Sequence, residues 1–293
     1  MSVLRFDLDF VPPYRLRYNA DGDGTTRAFW LAGRPVVVQF EQFEDDGPVS
    51  ATFYSDQPLD DIEPVAWDAA HMMISARDDL TEFHEAVRAD QAMYELALAT
   101  PGLKPIRTPD LWTTLIWALI DQQLSNVAGR AIRRRFAEMF GPAIDLGGQL
   151  VHLIPDPERV RAHDYRALMR AGLSQRKAVY AKEIAEAVLA GDLGLDRISR
   201  LPTDEAVQHL IDLRGVGTWT ARIAAIFGLG DRDVLPASDL GIRKAIGQVY
   251  RLPTLPTAAE VERIGERWRG WRSYAAVYLW HAYPRLQVSA GAR

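Results

Sequence analysis

The chain has 293 residues, 48% of them hydrophobic and 25% charged, which is ordinary globular composition and enough for roughly two domains. Cysteine is absent, which excludes disulfides, a thiol nucleophile, thiolate zinc sites and cysteine-ligated iron–sulfur clusters. No apolar run approaches the roughly 18 residues of a membrane span, and the N-terminus lacks the pattern of a signal peptide, so a cytoplasmic protein is expected. The net charge of −5 is uneven: residues 1–120 sum to −11 and residues 121–293 to +6, so the second part is the one suited to an anionic partner.

Residues 1–72 read as strand-rich. Leu4, Phe6, Leu8 and Phe10 alternate with polar positions, Arg34–Phe40 is a β-branched run, and Val49–Tyr54 resembles a further strand. Asp21-Gly-Asp-Gly24 signals a turn between early strands. From about residue 75 the pattern becomes helical. Thr108-Pro109 predicts a cap and first turn for a helix carrying Leu111, Leu115, Ile116, Leu119 and Ile120. Ser125 caps a helix through Phe136 that ends before Gly141, and Ser174 caps one carrying Ala178, Ala181, Ile184 and Val188. Thr203 is expected to cap a short helix ending near Leu210, and Thr257-Ala-Ala-Glu260 is a capping box. Trp271–Tyr283 predicts the last long helix, stopped by Pro284. The fold class expected is α+β: a small antiparallel or mixed β-sheet domain over residues 1–74, then a two-lobed all-helical core over 75–293.

The most informative stretch is Leu210–Arg222. A short helix ends before Gly215, Gly215-Val-Gly217 turns, and a second helix starts near Thr218. Glycine permits the torsions of a tight turn and lets a ligand approach the backbone. The unpaired amides at the start of the second helix can point at one phosphate, favoured by the helix dipole. A purely structural turn remains open on the glycines alone. Downstream, Asp239 falls at the N-cap of a helix over Leu240–Val249. It is either a good cap and nothing more, or a carboxylate held beside a cleft to stabilise positive charge developing on a sugar.

Four segments, in this order and spacing, resemble the helix-hairpin-helix (HhH-GPD) DNA glycosylase superfamily, and within it the bacterial DNA-3-methyladenine glycosylase II group. They are Ala118-Leu-Ile-Asp-Gln-Gln-Leu-Ser125, Gly172-Leu-Ser-Gln-Arg-Lys-Ala178, Leu213-Arg-Gly-Val-Gly-Thr-Trp-Thr-Ala221 and Leu235-Pro-Ala-Ser-Asp-Leu-Gly-Ile242. Trp271-Arg-Ser-Tyr-Ala275 and Trp280 also resemble the family's C-terminal helix. The resemblance covers roughly residues 75–285 and implies a hairpin at about 203–228 and a catalytic aspartate loop at 229–240. The β domain matches the group's accessory domain by pattern only.

The resemblance implies that Asp239 is the catalytic aspartate. Gly215, Val216, Gly217, Thr218 and Thr220 would bind the DNA backbone. Trp219, Trp280, Ile223 and Leu240 would form the base pocket, and Gln122, Gln123 and Leu124 the wedge inserted into the duplex. Ile223 and Leu240 stand where the bacterial enzyme has tyrosines, so this pocket stacks less strongly on a cationic base. The implied partner is double-stranded DNA with damaged bases, acted on by a monomer, nucleoid-associated in a bacterial cytoplasm. The implied activity is hydrolysis that leaves an abasic site. The alternatives are a bifunctional glycosylase/lyase acting on oxidised bases, or a non-catalytic DNA-binding protein. No metal or cofactor is required, apart from a monovalent or divalent cation that could sit at the hairpin–phosphate contact. The six histidines are scattered without metal-ligand spacing, so no metal site is expected.

Overall fold

The computed structural model describes residues 1–18, 26–191 and 194–291; the turn expected at Asp21–Gly24 lies outside them. Strands β1 (Ser2–Leu8), β2 (Thr26–Leu31), β3 (Arg34–Gln42) and β4 (Val49–Ser55) form one wholly antiparallel sheet in the order β1-β4-β3-β2. The period-2 alternation of β1 turns Phe6 and Leu8 inward while Val3, Arg5 and Asp7 face solvent. The three valines of β3 are uninterrupted because the sheet is covered on both faces. Val36, Val38 and Phe40 pack with Ala66, Ala69, Ala70 and Met73 of helix α1 (Glu63–Met73). Val37 packs instead against Ile144 and Leu153.

Helix therefore begins about a dozen residues earlier than the sequence pattern indicates. α1 has small alanines at its contact face, so its apolar stripe is inconspicuous beside the strands it covers. The hairpin that covers the opposite face, β5 (Ala143–Leu146) and β6 (Gln149–His152), is also absent from the sequence reading. Its signal was present: Gly147 and Gly148 both take positive φ, 66° and 96°, the torsions of a two-residue hairpin turn. Trp30 of β2 donates from its indole N–H to the Ile154 carbonyl at 2.8 Å, tying the sheet to the segment after β6.

The remaining helices form two packed clusters. The first unites α4 (Leu111–Asp121), α5 (Asn126–Phe140), α6 (Pro157–Ala162), α7 (Tyr165–Arg170), α8 (Gln175–Ala190), α9 (Leu195–Ile198), α10 (Thr203–Ile211) and α11 (Thr218–Ala224) around Ile116, Leu119, Phe136, Leu168 and Leu210. The second unites α2 (Leu80–Val87), α3 (Gln91–Ala99), α12 (Leu240–Val249), α13 (Ala258–Gly265) and α14 (Arg272–Gly291) around Phe83, Ile242, Trp268, Tyr274 and Tyr278. Each cluster has an apolar stripe to bury, and α11 runs into α12 through the segment between the two.

Caps follow the sequence with three differences. Ser125, Ser174 and Thr257 cap as expected, the last in a full capping box with Glu260. At α4 the cap is Asp110, whose carboxylate accepts from the Thr113 amide at 3.2 Å; Thr108 and Pro109 precede it. Thr203 is the first residue of α10 rather than its cap, and its hydroxyl donates to Asp231 instead. α14 does not stop at Pro284 but continues to Gly291. A proline removes one intrahelical donor, here the partner of the Trp280 carbonyl, and that alone does not terminate a helix.

Candidate active site

The hairpin forms as its sequence dictates. α10 ends at Ile211, Gly215 takes φ +89°, and Val216 is buried between the helices. Gly217 is the N-cap of α11 and has no side chain, so no side-chain hydrogen bond caps the first amides of the helix. The two glycines do different work. A Cβ on Gly215 would lie 2.3 Å from the Tyr180 ring, whereas a Cβ on Gly217 meets nothing within 4 Å. Gly215 is required by packing, and Gly217 leaves open space outside the backbone.

Asp239 sits at the N-cap of α12, where its Oδ1 accepts from the Ile242 amide at 2.9 Å. The same oxygen accepts from Trp280 Nε1 at 2.9 Å, and Oδ2 accepts from Trp219 Nε1 at 2.9 Å. A helix start and two indoles from different elements thus aim one partly buried carboxylate. Trp219 and Trp280 are therefore oriented by the aspartate, a role that sequence reasoning did not assign them. One face of Trp280 stacks on Phe227, with ring centroids 5.9 Å apart and planes 29° apart.

The loop carrying Asp239 is fastened at several points. Arg222 of α11 donates to the Leu235 carbonyl at 2.8 Å and pairs with Glu262. Ser273 Oγ accepts from the Val234 amide at 2.9 Å. Arg272 holds Asp233 through three hydrogen bonds, two from its guanidinium at 2.7 and 2.9 Å and one from its amide at 3.3 Å. Burial raises the Asp233 pKa, but the Arg272 hydrogen bonds and charge outweigh it, leaving it below the ordinary carboxylate value. These arginines are thus committed to the loop rather than left free for a partner.

Ile223 follows Trp219 by one turn of α11, and Phe227 follows by two, in the π-helical turn Ala225–Leu229 that extends it. Ile223 and Phe227 line a cavity of about 220 Å3 together with Trp117, Thr108 and Thr114. Phe227 was missed by the sequence reading, although its i+8 spacing from Trp219 is a helical-face signal. Trp117 packs against the first helical cluster and also walls this cavity. Leu240 is half exposed and does not line it. A larger open concavity of about 610 Å3 lies alongside, between β2, α5 and β6, and shares Arg27, Trp117 and Arg133 with the smaller one.

The Gln122–Leu124 segment divides in the same way. Gln122 is turned inward, its amide donating to the Gly215 carbonyl at 2.9 Å and to Thr220 Oγ1 at 2.7 Å. Gln122 thereby links the end of α4 to the hairpin, and it occupies the buried Thr220 hydroxyl. Gln123 and Leu124 are exposed at the tip, with Gln123 at φ +57°, a conformation that costs a non-glycine residue about 1–2 kcal/mol. The tip is braced by Lys177, whose Nζ donates to the Ile120 and Gln122 carbonyls, each at 2.7 Å. This explains the Gly172–Ala178 motif: Ser174 starts α8 and Lys177 fixes the turn after α4.

Comparison with known proteins identifies the family. The model of the HhH-GPD superfamily of base excision DNA repair proteins matches residues 116–270. The DNA-3-methyladenine glycosylase of Bacillus subtilis is 29% identical over 210 residues, 72% of this chain and 69% of that protein. DNA-3-methyladenine glycosylase 1 of Schizosaccharomyces pombe is 36% identical over 167 residues, 57% of this chain and 69% of that protein. The structure of a 3-methyladenine DNA-glycosylase from Archaeoglobus fulgidus shares the fold, with a TM-score of 0.81 at 20% identity over 96% of this chain and 98% of that one. With matching sequence segments and a shared whole-chain fold, the chain belongs to the HhH-GPD superfamily of base excision repair proteins, as a DNA glycosylase related to the bacterial 3-methyladenine glycosylase II enzymes.

Proposed function

We propose that the protein is a monofunctional glycosylase that hydrolyses the bond between the sugar and an alkylated base, such as 3-methyladenine or 7-methylguanine, and leaves an abasic site. The observation that carries this is the Asp239 carboxylate, aimed by Trp219, Trp280 and the Ile242 amide beside the hairpin. A glycosylase reaches its bond by turning the nucleotide out of the helix, at a cost of a few kcal/mol. The uncapped amides of α11 grip the backbone, while Gln123 and Leu124 fill the gap left in the duplex. The two tryptophans and the Ile223 side chain then meet the extruded base.

A base alkylated on a ring nitrogen is cationic. The C1′–N bond breaks with its electron pair going to the base, which departs neutral and needs little acid. The sugar becomes an oxocarbenium ion, and Asp239 stabilises that developing positive charge. Water adds to C1′ and releases one proton, which balances the step without metal or cofactor. The grip on phosphate positions the DNA and carries no base preference. Gly217→Leu is therefore expected to keep the fold but weaken binding to lesion and lesion-free duplexes by similar factors. About tenfold is expected, the value of one charge-assisted hydrogen bond. Titration of both duplexes checks this; a loss confined to lesion DNA contradicts it.

Lyase activity needs an amine at C1′ to form a Schiff base. The resemblance places that lysine at the position Trp219 occupies, and an indole nitrogen cannot serve. Lys244 is exposed on α12, and Lys177 is committed to two carbonyls. The test is turnover on methylated duplex DNA with borohydride present. Free alkylated base is expected, with no trapped enzyme–DNA band. A borohydride-dependent band overturns the monofunctional reading, and absence of base release overturns the glycosylase reading of Asp239.

A further inference from the structure

The cavity lined by Ile223 and Phe227 is also lined by an ion pair that the chemistry at Asp239 does not use. Asp121, the last residue of α4, and Arg133 of α5 both line it, with Arg133 Nε 3.3 Å from Asp121 Oδ1. The contact has ion-pair distance without hydrogen-bond alignment: Oδ1 and Nε are both buried and neither has a hydrogen-bond partner. The guanidinium lies 5.2 Å from the centre of the Trp117 ring, which walls the same cavity. Gly129 allows this placement, since a Cβ there would lie 2.4 Å from Oδ1. Burial raises the Asp121 pKa above the ordinary carboxylate value, against the opposing charges of Arg133, Lys177 and Arg130. An acceptor-only group and a donor-only group thus stand side by side, incompletely satisfied, at the wall of an aromatic cavity.

About 150 Å3 is enough to hold benzene, so a cavity of 220 Å3 has room for a fused bicyclic base. Trp219 and Trp280 do not themselves line the cavity, but Phe227 stacks on Trp280 and Ile223 lies one turn from Trp219, so two of its lining side chains adjoin the tryptophans that hold Asp239. We propose that Asp121 and Arg133 are specificity-determining residues for the extruded base, and that they favour purines with a carbonyl at C6 and a hydrogen on N1, such as 7-methylguanine and hypoxanthine, over 6-amino purines. This rests on the glycosylase reading of Asp239. The carboxylate accepts from N1–H and, in guanine-type bases, from the 2-amino group as well. The guanidinium donates to O6, as arginine does when it reads guanine. A 6-amino purine presents the reverse order, an acceptor at N1 and a donor at C6, and a base still tethered to its sugar cannot exchange the two. A site that leaves buried polar groups facing the wrong partners discriminates strongly.

Duplex DNA treated with a methylating agent carries 7-methylguanine and 3-methyladenine together, so chromatography of the released bases gives both rates in one tube. The wild-type protein is expected to release both. Asp121→Asn is expected to slow 7-methylguanine release about tenfold or more, while 3-methyladenine release stays within about twofold. A purely structural loss lowers both rates alike, so the ratio is the readout; Asp121→Ser provides a second uncharged variant. Should neither variant fold, wild-type protein on methylated duplex DNA is expected to release 3-methylguanine, a 6-carbonyl base, faster than 3-methyladenine, its 6-amino counterpart alkylated at the same nitrogen. An unchanged ratio in a folded variant, or wild-type preference for the 6-amino lesion, overturns the role of Asp121. Wild-type failure on every lesion, or full activity in Asp239→Asn, overturns instead the reading on which it rests.

Discussion

Asp239→Asn is expected to leave a folded, DNA-binding protein whose excision rate is about 100- to 1000-fold lower, the range for removing one electrostatic group aimed at a transition state. Asparagine is as good an N-cap as aspartate, so α12 should keep its start. The asparagine oxygen can retain the two donors that now reach Oδ1, from the Ile242 amide and Trp280. Its NH2 group then replaces Oδ2, where Trp219 now donates. Two donors cannot bond, so Trp219 loses its anchor. Single-turnover kinetics on a neutral lesion is the appropriate measurement, because a labile cationic base leaves readily without help. Near-wild-type excision there would remove Asp239 from the mechanism.

Gly215→Val is expected to destabilise the whole fold, in contrast to Gly217→Leu. At φ +89° a β-branched residue is strained by about 1–3 kcal/mol. Its Cβ would also overlap the Tyr180 ring, adding a similar overpacking cost. The displaced Gly215 carbonyl would lose the Gln122 amide, so the link between α4 and the hairpin would go with it. Urea unfolding should show a lower midpoint, and Tyr180→Ala in the same chain should recover the steric part but not the torsional part. A Gly215→Val protein as stable as wild type would mean that the turn is not built as described.

What the sequence made legible follows from how local each signal is. The caps at Ser125, Ser174, Thr257 and Asp239, the hairpin glycines and the alternation in β1 are decided by neighbours a few residues away, and pattern alone finds them. α1 was hidden because alanine carries little amphipathic contrast. The helix through Pro284 shows that a proline costs a bond without fixing an end. At the site, motif spacing brought Asp239, Trp219 and Trp280 to notice, but not the hydrogen bonds among them. Those bonds span 20 and 41 residues and depend on how α11, α12 and α14 pack. Gln122 carried the same difficulty. Beside Gln123 in sequence it looked like a wedge residue, and only its contact with Gly215, 93 residues away, separates the two. Gly215 and Gly217 were likewise indistinguishable until Tyr180 stood next to one of them.

The most direct measurement of the central claim is a denaturing gel of a lesion-bearing duplex after incubation with the wild-type protein, run with and without alkali. The predicted result is an intact strand before alkali and cleavage at the lesion position after it, dependent on Asp239. Cleavage before alkali, or an intact strand after it, would contradict hydrolytic excision at this site.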